Sequence, residues 1–85
     1  METRVALISM IVQDQESALE INALLHAYRQ YIIGRMGIPY APKKISIISI
    51  AIDAPQDIIS ALSGKLGALR GLSAKTVYSK VEGAN

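Results

Sequence analysis

The run ISIISIAI, residues 45–52, reads as a β-strand with two apolar faces. Ser46, Ile48, Ile50 and Ile52 alternate onto one side, and Ile45, Ile47, Ser49 and Ala51 onto the other. A strand that is apolar on both faces expects cover on both. Upstream, PYAPKK (residues 39–44) reads as a turn, because Ile38 and Ala41 are each pushed toward extended backbone by the proline that follows. Downstream, DAPQD (residues 53–57) opens a helix, with Pro55 suited to a first turn and Asp57 complementing the positive helix end. Ile58, Leu62, Leu66 and Leu69 form its apolar stripe. Gly64 and Gly67 each cost about 1 kcal/mol relative to alanine in a helix interior, which points to close packing or an early fray. Gly71 is the expected stop. A last strand, LSAKTVYSKV (residues 72–81), precedes the tail EGAN.

The same pattern runs the other way along the chain. YIIGRMGI (residues 31–38) is a second strand candidate, although Gly34 and Gly37 weaken a strand and need a reason. Before it lies a helix reaching about Arg29, with Ala18, Ile21, Leu24, Leu25 and Tyr28 on one stripe. Ser17 and Glu20 have capping-box spacing at its start. TRVALISMIV (residues 3–12) is a first strand, again apolar on both faces: Val5, Leu7, Ser9 and Ile11 against Ala6, Ile8, Met10 and Val12.

The order β-α-β-β-α-β predicts one α+β domain over residues 1–85. It is a ferredoxin-like sandwich, a four-stranded antiparallel sheet with both helices on one face. Two helices cover one face only, yet the first and third strands are apolar on both. The uncovered face is therefore expected to meet another subunit, as a homo-oligomer.

Composition supports association. Hydrophobic residues make up 51% of the 85 and charged residues 19%, with a mean hydropathy of +0.29, apolar for a chain whose surface fraction is large. A membrane is not the expected partner: the longest apolar run, VALISMIV (residues 5–12), falls far short of the roughly 20 residues of a spanning helix. METR followed by QDQE does not read as a secretory signal. With no cysteine there is no disulfide, thiolate metal site or cysteine nucleophile. The expected compartment is the cytoplasm. The net charge is +2 and the basic residues are scattered, only Lys43 and Lys44 being adjacent. A nucleic-acid binder concentrates such charge.

Candidate chemistry is sparse. His26 is the only histidine and lies off the core stripe, so it reads as a solvent or interface residue rather than a metal ligand. Asp14, Glu16, Glu20, Asp53 and Asp57 sit at helix entrances, where capping and the helix dipole account for them. SGK (residues 63–65) lacks the upstream glycine of a phosphate loop and falls inside a helix. Tyr28, Tyr31, Tyr40 and Tyr78 read as structural. GRMG (residues 34–37) stays open. Its glycines ease a bulge and Arg35 is a solvated edge charge, or the glycines admit a ligand or subunit and Arg35 clamps an anion. No enzymatic activity, cofactor or metal is expected.

The stretches RVALISMIV, LLHAYRQYIIGRMGIPY and ISIISIAIDAPQDIISALSGKLGALRGLSAKTVYSK together resemble ACT-like iron-only hydrogenase system regulators, over about residues 2–80. YIIGRMGIPY and ALSGKLG are the specific parts. Wider relatives are ACT domains and the C-terminal domain of nickel-responsive repressors. The resemblance implies a ferredoxin-like fold, dimers or tetramers, and small effectors bound at subunit interfaces. It implies a regulatory role tied to the iron-only hydrogenase system. Nickel-responsive repressors carry a ribbon-helix-helix segment before this domain, and here the chain starts at its first strand, so direct DNA binding is not expected. Their nickel site uses several histidines and a cysteine, so nickel sensing is not carried over. QDQES (residues 13–17) lacks the glycine that amino-acid-binding ACT domains often place there, and amino-acid binding is not carried over. The expected effector site comprises Gln13, Asp14, Gln15, Glu16, Ser17, Gly34, Arg35 and Gly37, with Arg35 as the anion contact. The alternative is a non-catalytic scaffold or adaptor that binds a partner protein through its sheet face.

Overall fold

A computed structural model describes residues 2–80. Val81, where the last strand was expected to end, the EGAN tail and its Glu82 lie outside the described residues. Strands β1 (Arg4–Val12), β2 (Ile32–Tyr40), β3 (Ile45–Ala54) and β4 (Leu72–Tyr78) and helices α1 (Ala18–Ala27) and α2 (Gln56–Gly67) follow the expected order. The sheet runs β2-β3-β1-β4, every neighbour antiparallel. The fold is the expected α+β ferredoxin-like arrangement.

Alternation decides what is covered. Ala6, Ile8, Met10 and Val12 of β1, and Ile50, Ile52 and Ala54 of β3, are buried in one cluster with Ile21 and Leu25 of α1 and Ile59, Leu62 and Leu66 of α2. Their register partners carry the same face across the sheet: Ile8 stands opposite Ile50, and Ala6 opposite Ile52. The helices therefore share one face, and the intervening residues look outward.

Four local expectations are corrected. The buried residue in the first turns of α2 is Ile59, while Ile58 is half-buried at the margin of the core. Helix α2 ends at Gly67. Among the described residues a Cβ at Gly64 or Gly67 would meet nothing within 4 Å, so close packing within the chain does not explain these glycines. Pro39 and Tyr40 belong to β2 rather than to the turn. An edge strand tolerates proline because its outward N–H has no ladder partner to lose. The turn itself is the 3-10 segment Ala41–Lys43, closed by Lys44 in the left-handed region at φ 54.

The start of α1 departs from a capping box. Asp14 caps a preceding 3-10 turn, Gln15–Ser17, its carboxylate accepting from Glu16 N at 2.9 Å. Ser17 makes no side-chain cap. Its buried hydroxyl donates instead to the Arg70 carbonyl at 2.7 Å. This ties the β1–α1 connection to the α2–β4 connection. Gly71 completes the tie, because its carbonyl accepts from Gln13 N at 2.7 Å and Asp14 N at 3.3 Å.

Candidate functional site

The eight sequence-derived site residues fall into separate places. Residues 13–17 sit beside Arg70 and Gly71, at the β4 side of the molecule. Asp14 also faces Arg70 Nε at 3.8 Å. Gly34, Arg35 and Gly37 lie on β2, the opposite edge strand. These three point to two faces. Gly34 pairs with Ala51 on the uncovered face, whereas Arg35 and Gly37 pair with Ile50 and Ile48 on the helix side. A register shift between Ile32 and Gly34 marks a β-bulge or irregularity, but Gly34 does not hold a positive φ and among the described residues nothing lies within 4 Å of a Cβ placed there. Among the described residues nothing comes within 4 Å of a Cβ placed at Gly37.

Arg35 reaches back over the sheet edge to α1, where its Nη2 donates to Asn22 Oδ1 at 2.7 Å. It lines an open cleft of about 370 Å³ together with Asn22, Leu25, His26, Arg29 and Ile32. Arg29 is anchored locally. Its Nη1 donates to the His26 carbonyl at 2.9 Å and stands 3.2 Å from His26 Nε2. Asn22, His26 and Arg29 recur at spacings of four and three, the spacing of one helix face. Sequence reading alone passed over Asn22 and Arg29 and placed His26 at solvent or an interface. The helical spacing was the available signal, but nothing in it says that Arg35 of another element closes the group. Among the described residues no acidic side chain lines the cleft. Among the described residues neither arginine has a carboxylate within ion-pair distance, the only such pair being Arg70 with Asp14.

The uncovered sheet face is the second feature. Val5, Leu7, Ile11, Met36, Ile38, Tyr40 and Val77 stand on it, each 45–61% exposed. The register sets Leu7 beside Ala51 and Val77, and Ile11 beside Ile47, which pairs in turn with Ile38. At its centre the hydroxyls of Ser9 and Ser49 share a hydrogen bond of 3.1 Å, flanked in register by Met36 and Lys75.

Other sequence candidates have structural employment. The half-buried Tyr78 lies under Arg4, whose guanidinium carbon is 4.4 Å from the ring centroid, and its hydroxyl accepts from Gln56 Nε2 at 2.7 Å. That ring is not free for stacking on a base. Tyr28 packs against the core and accepts from Lys65 Nζ at 3.0 Å. Among the described residues no three His, Cys, Asp or Glu side chains cluster as metal ligands would, and no helix is long and apolar enough to cross a membrane.

An antiparallel 2-3-1-4 sheet, helices on one face and an apolar surface on the other, defines a ferredoxin-like domain. More narrowly, the chain belongs to the TM1266-like family, whose provisional description is iron-only hydrogenase system regulator and whose model matches residues 4–76. It is similar to the uncharacterized protein TM1266 from Thermotoga maritima, with 38% identity and a TM-score of 0.88 over 93% of this chain and 100% of that one. Two more distant structures share the fold alone. A formyltetrahydrofolate deformylase from Pseudomonas putida KT2440 matches with 11% identity and a TM-score of 0.62 over 86% of this chain and 28% of its own. The divalent ion tolerance protein CutA1 from Ehrlichia chaffeensis matches with 13% identity and a TM-score of 0.50, over 95% of this chain and 85% of its own. A search of curated proteins finds no match.

Proposed function

We propose that this chain is a self-associating regulatory domain of the iron-only hydrogenase system that responds to a small effector and performs no chemistry of its own. The observation that carries the reading is the uncovered sheet face, where seven large apolar side chains stand about half exposed. Soluble monomers rarely leave a contiguous apolar surface of this kind open. A second copy of the chain is the occupant it suits. Its largely uncharged rows suit an isologous interface, in which the same patch faces itself across a two-fold axis. The effector is assigned to Arg35, the cation of the candidate site, with the polar residues 13–17 contributed by a neighbouring subunit. The hydrogenase link rests on the family's description.

Sedimentation equilibrium at micromolar concentration tests the association, with a dimer or tetramer as the expected result. A stable monomer would sink this reading. A monomer that captures one partner protein through the same face would favour the adaptor function instead. Metabolite thermal-shift screening tests sensing, since a ligand of the native state raises its melting temperature.

A further inference from the structure

The cleft between α1 and β2 has the composition of an anion site, and it deepens the effector reading on which it rests. We infer that it binds a small dianion, a phosphate monoester or a dicarboxylate, between Arg29 and Arg35. Three observations converge. Two guanidinium groups from different elements line one cleft, and among the described residues no acidic side chain shares it. Their hydrogen-bond partners include no carboxylate: the Asn22 side-chain oxygen for Arg35, and the His26 carbonyl and ring for Arg29. Each guanidinium carries five N–H donors in a rigid fork, so most of them have no partner among the described residues. Those same contacts hold both forks in place before any ligand arrives, which lowers the ordering cost of binding.

The rest of the lining sets the ligand's size and character. The Asn22 amide nitrogen and the His26 ring add donors, while Leu25 and the half-buried Ile32 form an apolar floor. The cleft's 370 Å³ falls at the small end of ligand sites, which run from roughly 300 to 1,000 Å³. Paired forks favour an oxyanion that accepts two bonds side by side, and a double charge answers two uncompensated cations. A nucleic-acid backbone fits less well. Lys43, Lys44, Lys75 and Lys80 do not line the cleft. Arg29 and Arg35 are the only lysine or arginine side chains in it among the described residues, whereas a nucleic-acid site concentrates many.

Amide NMR titration at pH 7.5 and constant ionic strength tests the site, with inorganic phosphate in one series and succinate in another. The expected result is saturable shifts at Asn22, Leu25, His26, Arg29, Ile32 and Arg35 with at least one anion. The arm that saturates tells phosphate from carboxylate chemistry. Arg29→Met with Arg35→Met is expected to weaken binding by about tenfold or more, since each removes a charge-assisted clamp. Both side chains are exposed, and retained amide dispersion will show that the variant folds. Shifts that stay linear with both anions, that centre on the lysines, or that survive the double substitution would overturn the site. Sedimentation of the same samples separates the two ideas. An oligomer without saturable binding removes the site and leaves association standing, whereas a monomer with saturable binding does the reverse.

Discussion

At the scale of single residues, Gly71 and Ser17 matter most to the geometry. Gly71 holds φ at +66, and a Cβ there would collide with Asp14 Cβ and lie 2.9 Å from Asp14 N. Both the left-handed backbone and the contact oppose any side chain. Gly71→Ala is expected to cost about 2 kcal/mol or more, read as a lowered urea midpoint. The Ser17 hydroxyl bonds the Arg70 carbonyl across the same junction. Removing it with Ser17→Ala leaves that carbonyl short of a donor and is expected to cost about 1 kcal/mol, measured the same way. A Ser17→Ala variant that kept full stability would mean the bond contributes nothing net. Both positions carried a sequence signal, a helix stop and a helix cap, and both signals were misread in detail. Local spacing shows that a serine precedes a helix. It does not show that a carbonyl 53 residues away lies nearer than the helix's own N–H groups.

At the scale of elements, α2 is held by Ile59, Leu62 and Leu66, all fully buried, and by the Ser63 hydroxyl bonding Thr76 of β4 at 2.6 Å. Gly64 lies on its exposed side with open space around it. Gly64→Ala is therefore expected to stabilise the protein by about 0.5–1 kcal/mol, since alanine is the better helix former and meets no neighbour. A fall in melting temperature would reveal a contact that the isolated chain lacks, such as a subunit pressed against this helix. Strand β2 poses the reverse question. All but one of its residues are exposed. Its bulge, its proline and Arg35 are devices that discourage edge-to-edge pairing, and they bear on that strand independently of any ligand.

At the scale of the whole molecule, the apolar face opposite the helices dominates. Leu7 stands near its middle, 47% exposed, in register with Ala51 and Val77. In a monomer Leu7→Glu places a charge in water at little cost, within about 0.5 kcal/mol. Across a self-associated face the same charge is buried without a partner and costs far more. The expected outcome is a folded chain that sediments as a monomer where the unaltered chain does not. Equal sedimentation of the two would show that this face is not the one buried.

The alternation of ISIISIAI and RVALISMIV by itself determined the strands, their two apolar faces and hence the sandwich, because side-chain direction in a strand has a period of two wherever the strand lies. The resemblance carried by YIIGRMGIPY agreed with the family that the whole chain matches. Only the tertiary structure decided which residues converge. Arg35 meets Asn22 across an edge strand and a helix, and Gly71 receives the backbone of residues 13 and 14, because contacts between elements depend on register, bulge and crossover geometry. Those are settled by the packing of the whole sheet against its helices, and no window of the sequence contains them.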